Sequence, residues 1–188
     1  MKTKSSNLKE KITREVMLPE NTTASIEGNI LTIKASAGEV SRTFGQRRIS
    51  ISVHEKKISL ESSRSSKEDK KMMGSVMAHI RNMLEGSHKK HNYTLKICSG
   101  HFPMNISVSG NKFIVKNFLG EKVPRTLVLK HGADVKIEGE LIHVTSTNKE
   151  TAGQVSADIE QLTRRPGYDS RVFQDGCYII SKDGRELK

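Results

Sequence analysis

Hydrophobic residues recur along this chain at two spacings, and the two spacings alternate in the same order twice. In the first half, Ala24 and Ile26, then Leu31 and Ile33, alternate with polar residues on either side of Gly28-Asn29. A period of two sets one strand face against a core and the other in water, and the glycine supplies the turn. Ile49, Ile51 and Val53, followed by Ile58 and Leu60, predict a second hairpin around His54-Glu55-Lys56-Lys57. The spacing then changes. Met72, Met73, Val76, Ile80, Met83 and Leu84 fall on one face of a helix. Ser66 with Asp69 three residues later predicts its start, and Gly86 its stop. The polar run Glu61–Lys71 reads as a surface loop leading into that helix.

The second half repeats the order. Ile106 and Val108 with Phe113 and Val115 predict one hairpin, and Val135 and Ile137 with Leu141, Ile142 and Val144 another, turning at Glu138-Gly139-Glu140. A helix follows, opening at Thr147-Asn148-Lys149-Glu150, carrying Ala152, Val155, Ile159 and Leu162 on one face, and ending at Pro166-Gly167. The copies align by sequence as well as by pattern. Gly28-Asn29, Ile33-Lys34 and Gly38-Glu39 match Gly110-Asn111, Val115-Lys116 and Gly120-Glu121 at an offset of 82, and Arg42-Thr43 matches Arg125-Thr126 at 83. Ile58-Ser59-Leu60 matches Ile142-His143-Val144 at 84, and Gly74, Val76, Ala78, Ile80 and Met83 match Gly153, Val155, Ala157, Ile159 and Leu162 at 79. The expected fold is therefore α+β, with two tandem homologous domains, each of antiparallel sheets packed with one helix. A junction near residues 87–93 gives domains over residues 1–88 and 89–188.

Composition changes the picture in one direction. Hydrophobic residues are only 34% of the 188, with no Trp, so each core is modest and much of the chain is surface. Thirty-two Lys and Arg against 21 Asp and Glu leave a net charge of +11, which points to a polyanionic partner. The first 91 residues carry 18 basic and 10 acidic side chains, the remainder 14 and 11. No apolar run reaches the roughly 20 residues of a membrane span. No apolar stretch follows the lysines of MKTKSSNLKEK to make a secretory signal, so no membrane partner is expected and the cytoplasm is the expected compartment. Cys98 and Cys177 lie in apolar runs without metal-ligand spacing and read as reduced, partly buried thiols. P-loop, GxGxxG, GxSxG and HExxH motifs are absent, and the carboxylates are scattered beside Lys and Arg. No cofactor, metal or enzymatic activity is expected. His101 beside Phe102-Pro103 reads as a hydrogen-bonded histidine at a strand end.

His101-Phe102-Pro103-Met104-Asn105, with Asn117-Phe118-Leu119-Gly120-Glu121-Lys122, resembles the large-subunit ribosomal protein family called L-six in bacteria and L-nine in eukaryotes. Arg171-Val172-Phe173-Gln174-Asp175-Gly176-Cys177-Tyr178-Ile179 is similar to the tail strand of its eukaryotic–archaeal branch. Leu18-Pro19-Glu20-Asn21 is similar to that branch's N-terminal entry, and Ala78–Gly86 to its first helix. The resemblance covers nearly the whole chain. It implies a structural constituent of the large subunit, monomeric within the ribosome and bound to large-subunit rRNA near the sarcin–ricin loop and stalk base. Neighbouring ribosomal proteins and translation factors would lie close by, and nuclear or nucleolar transit would accompany assembly. The alternative is a free RNA-binding accessory or regulatory protein that reuses the duplicated domain. One departure stands out: where the family carries a Gly-Pro-x-Gly turn, this chain has Ala35-Ser36-Ala37-Gly38, which predicts a looser turn. The basic, Trp-containing hairpin that eukaryotic members often place before the first helix is also missing.

Three stretches carry the residue types that hold RNA, where cations and amides meet phosphate and exposed rings stack on bases. Lys89 and Lys90 lie in the His88–His91 run between the domains. Lys116, Asn117, Lys122 and Arg125 surround the Phe118-Leu119-Gly120 turn, with Phe118 expected to pin that turn to the core. Arg164, Arg165, Tyr168 and Arg171 form the third group, with service at a helix end as the lesser alternative for its two leading arginines.

Overall fold

The structure is a computed structural model that describes residues 11–45, 48–169 and 171–187. The lysine-rich opening of the chain and Ser170 lie outside the described residues. The fold is α+β, and two compact units divide between His88 and Lys89.

The first unit comprises β1 (Ile12–Met17), β2 (Thr23–Glu27), β3 (Ile30–Ala35), β4 (Gly38–Thr43), β5 (Ile49–His54), β6 (Lys57–Ser62) and α1 (Lys67–His88). Its strands form two antiparallel three-stranded sheets, β1-β6-β5 and β2-β3-β4. Both hairpins expected from the alternation are present, and Gly28 makes its turn at φ 60°, where a side chain is strained. Leu31, Ile33, Ile58 and Leu60 meet Val76 and Ile80 of α1, and all six are buried. Each such side chain stabilises the unit by about 1.5–3 kcal/mol through removal from water.

The helix start follows the expected logic, because the Ser66 hydroxyl accepts from the Asp69 N–H at 3.1 Å and donates to the Asp69 carboxylate. The expected stop fails. Gly86 is buried within the last turn, and α1 runs on to His88. Tertiary bonds override the glycine: the Ala37 N–H donates to the Ser87 carbonyl at 2.8 Å, and the His88 ring lies 2.8 Å from the Thr22 hydroxyl. The same Ala37 bond ties down the Ser36-Ala37 turn, in place of the looser turn expected from its missing Gly and Pro. The expected loop over Glu61–Lys71 shrinks to residues 63–66. Ser62 ends β6 with its side chain buried, and helix begins at Lys67.

The second unit comprises β7 (His91–Cys98), β8 (Asn105–Ser109), β9 (Lys112–Lys116), β10 (Arg125–Val128), β11 (Ala133–Glu138), β12 (Leu141–Ser146), α2 (Lys149–Leu162), β13 (Gly176–Lys182) and β14 (Arg185–Glu186). The sheets are β10-β9-β8 and β11-β12-β7-β13-β14. Phe113, Val115, Leu95, Ile142 and Val144 pack with Val155 and Ile159 of α2. Asn148, one residue later than Thr147, caps α2 by accepting from the Glu150 N–H at 2.9 Å. The helix also ends earlier than Pro166-Gly167, at Leu162. Thr163 is buried there, its hydroxyl donating to the Glu160 carbonyl and accepting from the Cys177 N–H.

Strand register corrects one sequence match. Leu31 pairs with Arg42, whereas Phe113 pairs with Leu127; Ile33 pairs with Val40, whereas Val115 pairs with Arg125. The counterpart of Arg125 is therefore Val40, and that of Arg42 is Leu127. Hydrogen bonds agree, with the Phe44 N–H on the Asn29 carbonyl in one unit and the Leu129 N–H on the Asn111 carbonyl in the other. The Arg-Thr match at 83 is coincidental. The extra residues lie between β9 and β10, in the turn that carries Gly120-Glu121, so that pair does not correspond to Gly38-Glu39 in register.

Candidate nucleic-acid interface

The β9–β10 connection follows from backbone strain anchored by a buried ring. Asn117 and Leu119 both adopt left-handed conformations, at φ 58° and 47°. Asparagine tolerates this, but a leucine there costs about 1–2 kcal/mol. Phe118, fully buried between them, pins the turn, and the Glu121 N–H closes it on the Phe118 carbonyl at 2.9 Å. The Asn117 amide donates to the Pro103 carbonyl at 3.0 Å, and Gly120, at φ 78°, lies against the Phe102 ring. Lys116 and Lys122 flank the turn, exposed and without a side-chain partner among the described residues.

Arg125 occupies the inward-facing position that holds a core valine in the other unit. Its guanidinium forks onto Glu121 with bonds of 2.8 and 2.7 Å and lies over the Phe118 ring at 4.3 Å. A third nitrogen donates to the carbonyls of Leu162 at 2.7 Å and Arg164 at 3.3 Å. The Leu162 carbonyl is among the groups that the end of α2 leaves without a helical partner, and the Arg164 carbonyl lies just beyond the cap, so Arg125 caps the helix from the side. Most of its donors are consumed within the fold. Hydrogen bonds from Arg125, joined by the charges of Arg125 and Arg165, outweigh burial and hold the Glu121 carboxyl below the usual carboxylate range.

The third group is ordered by a chain of stacked rings. Arg165 lies 3.8 Å from Glu121 and sits over the Tyr168 ring at 4.4 Å. Tyr168 meets Phe173 edge to face at 4.8 Å, and Phe173 stacks on His101 at 4.9 Å. His101 donates from Nδ1 to Asp175 at 2.5 Å. The other Asp175 oxygen accepts from the Gly100 and His101 N–H groups at 2.8 and 2.9 Å. Burial by itself would raise the Asp175 pKa, but these bonds outweigh it and hold it low. The His101–Asp175 pair thus anchors the loop before β13 to the start of the β7–β8 connection, as the strand-end reading of His101 expects. The Arg164 and Arg171 side chains project from this loop, exposed and unpartnered among the described residues. Of the remaining pair, Lys89 is likewise free, and Lys90 lies 3.5 Å from Asp134.

The second unit therefore brings two of the three groups together. Glu121 links the β9–β10 turn to the loop after α2 through Arg125 and Arg165. Sequence reasoning passes over Glu121, Phe173 and Asp175 as interface residues, because an acid or a phenylalanine carries no cationic signature. Their role is to orient the arginines and Tyr168.

The family profile of Ribosomal protein L6 matches residues 18–89 and again residues 102–176, one match in each unit. Large ribosomal subunit protein uL6 of Methanococcus vannielii is 39% identical over 176 residues, covering 94% of this chain and 97% of that protein. The protein of the same name from Methanobrevibacter smithii is 41% identical over 172 residues, covering 92% and 97%. That from Haloquadratum walsbyi is 36% identical over 171 residues, covering 89% and 94%. With both halves matched and archaeal relatives aligned almost end to end, this chain belongs to the ribosomal protein L6 family, in its archaeal–eukaryotic branch.

Proposed function

We propose that this chain is a structural, non-enzymatic constituent of the large ribosomal subunit that grips its rRNA chiefly through the second unit. One observation supports the choice of surface. The side chains of Lys89, Lys116, Lys122, Arg164 and Arg171 are exposed with no partner among the described residues, so their donors are available to phosphate. Asn117, Arg165 and Tyr168 supply the remaining polar and stacking contacts, Lys90 adds a cation that Asp134 only loosely engages, and Arg125 acts by positioning them. Within the ribosome the chain is a monomer with rRNA and neighbouring ribosomal proteins as partners. The family resemblance favours a place near the sarcin–ricin loop and stalk base, beside the docking translation factors. The protein works in the cytoplasm, after nuclear or nucleolar transit during assembly where the cell has those compartments.

Purified large subunits should contain the chain in stoichiometric amount. Recovery only from post-ribosomal fractions would reject this reading in favour of a free accessory protein. On isolated large-subunit rRNA, Arg164→Ala with Arg171→Ala should weaken binding and flatten the log K against log salt slope. Each lost phosphate contact should contribute about 0.7–0.9 to that change. An unchanged slope would remove both residues from the interface.

A further inference from the structure

The loop after α2 does more than present cations, because it walls a cavity of about 580 Å³ against α2 and β13. That volume falls within the roughly 300–1,000 Å³ typical of sites that enclose a small ligand. The chain has only five Phe and three Tyr. Tyr168, Phe173 and Tyr178 all line this one cavity, a concentration of rings that a thinly cored protein would otherwise spend on its interior. Instead Tyr168 is 45% and Tyr178 41% exposed. Arg165 braces the Tyr168 ring from above and Phe173 meets it edge-on, while the Tyr178 backbone is held in the β13–β7 ladder opposite Lys96. An aromatic surface fixed before its ligand arrives loses little entropy on binding.

The polar lining narrows the ligand. The carboxylates and hydroxyl of Glu160, Asp175 and Thr163 are already engaged with the fold, on the Ile179 N–H, on Gly100 and His101, and on the Cys177 N–H. Besides the Tyr168 and Tyr178 hydroxyls, the Gln161 amide and the Arg164 guanidinium line the cavity with no hydrogen-bond partner among the described residues. A primary amide offers a donor and an acceptor side by side, the pattern that matches a base edge, and a guanidinium matches a phosphate. We infer that this cavity receives a single nucleotide that has left the RNA stack. Its base lies against Tyr168 and Tyr178, its edge is met by Gln161, and its phosphate by Arg164. A duplex of stacked, paired bases presents no free ring to such a site. The inference rests on the RNA-binding reading above and specifies what one part of that surface recognises.

The test uses the full chain and five RNA hairpins of one stem, four with a single bulged A, G, C or U and one fully paired. At least one bulged hairpin should bind about 10-fold more tightly than the paired stem, within the range of one base–aromatic stack. Tyr168→Ala and Gln161→Ala should each erase most of that preference, so that the variant binds the bulged hairpin no more tightly than it binds the paired stem, and Tyr168→Phe should retain it. Equal binding of all five hairpins would overturn the inference and leave RNA binding intact, as would a preference that survives Tyr168→Ala. Failure to bind any of them at low salt would defeat the RNA-binding reading, and the cavity assignment with it.

Discussion

Arg125→Ala tests whether a buried-face arginine can replace a core valine by capping a helix. The substitution removes the fork onto Glu121, the bonds to the Leu162 and Arg164 carbonyls, and the contact with Phe118. Hydrogen bonds to charged groups contribute about 1.5–3 kcal/mol net, and a cation over a ring about 0.5–1 kcal/mol. The Arg125 and Glu121 side chains are 23% and 30% exposed, so water recovers part of the lost solvation. The expected loss is about 2–3 kcal/mol from the second unit, which for a unit of this size lowers Tm by roughly 10–20 °C. The chain supplies its own local probe: it has no Trp, and Tyr93, Tyr168 and Tyr178 all lie in the second unit. Urea titration followed by tyrosine fluorescence therefore reports that unit, while far-ultraviolet circular dichroism reports both. Arg164→Ala, which keeps the backbone carbonyl and loses a side chain with no partner among the described residues, should stay within about 0.5 kcal/mol. A loss below about 0.5 kcal/mol for Arg125→Ala, or an equal loss for Arg164→Ala, would refute the capping account.

Further outcomes follow from the same contacts. Glu121→Gln removes a negative charge from the surface proposed to bind RNA, yet it should weaken RNA binding severalfold because Arg165 loses its anchor; tighter binding would show that Glu121 merely repels phosphate. Because the folded Asp175 carboxyl has a depressed pKa, its contribution is present above the unfolded value and lost as pH falls through the folded one. Second-unit stability should accordingly drop below about pH 4, and Asp175→Asn should flatten that dependence in tyrosine-detected unfolding. Burial pushes the Cys177 thiol up to about 12, so at pH 8 iodoacetamide should label Cys98 well before Cys177, as read by peptide mass mapping. Comparable rates for the two would place Cys177 outside the core.

Local periodicity reads the hairpins and helix faces because those elements bury one side of a regular backbone. Ile58 and Leu60, or Val155 and Ile159, announce their partners by spacing alone. Element ends are set by contacts from elsewhere in the unit and are correspondingly hard to read. Gly86 is a stop by propensity, and bonds from Ala37 and Thr22, distant in sequence, help hold the turn beyond it. Arg125 reads as a surface cation because nothing in its neighbourhood reveals that the carbonyl of Leu162 will arrive beside it. The candidate cations are legible as a population, and Phe118 as a core anchor. The division between free cations and those spent inside the fold is not legible, since Glu121 and Asp175 become meaningful only once distant segments meet.

The place of β13 in its sheet has a consequence for how the protein is made. Tyr178 pairs with Lys96, so β7 waits for nearly the last stretch of chain before its second edge is covered. The strands of the first unit find all their partners before His88. At about 5–20 residues per second, translation of the final hundred residues takes roughly 5–20 s, during which the earlier half can already be complete. The nascent second half meanwhile presents an uncovered strand, and the His101 ring lacks the Asp175 carboxylate that fixes it. Ordering of the loop that bears Arg164, Arg165 and Arg171 is thereby deferred to the end of synthesis, and a chain cut short before Asp175 would leave that loop without its anchor.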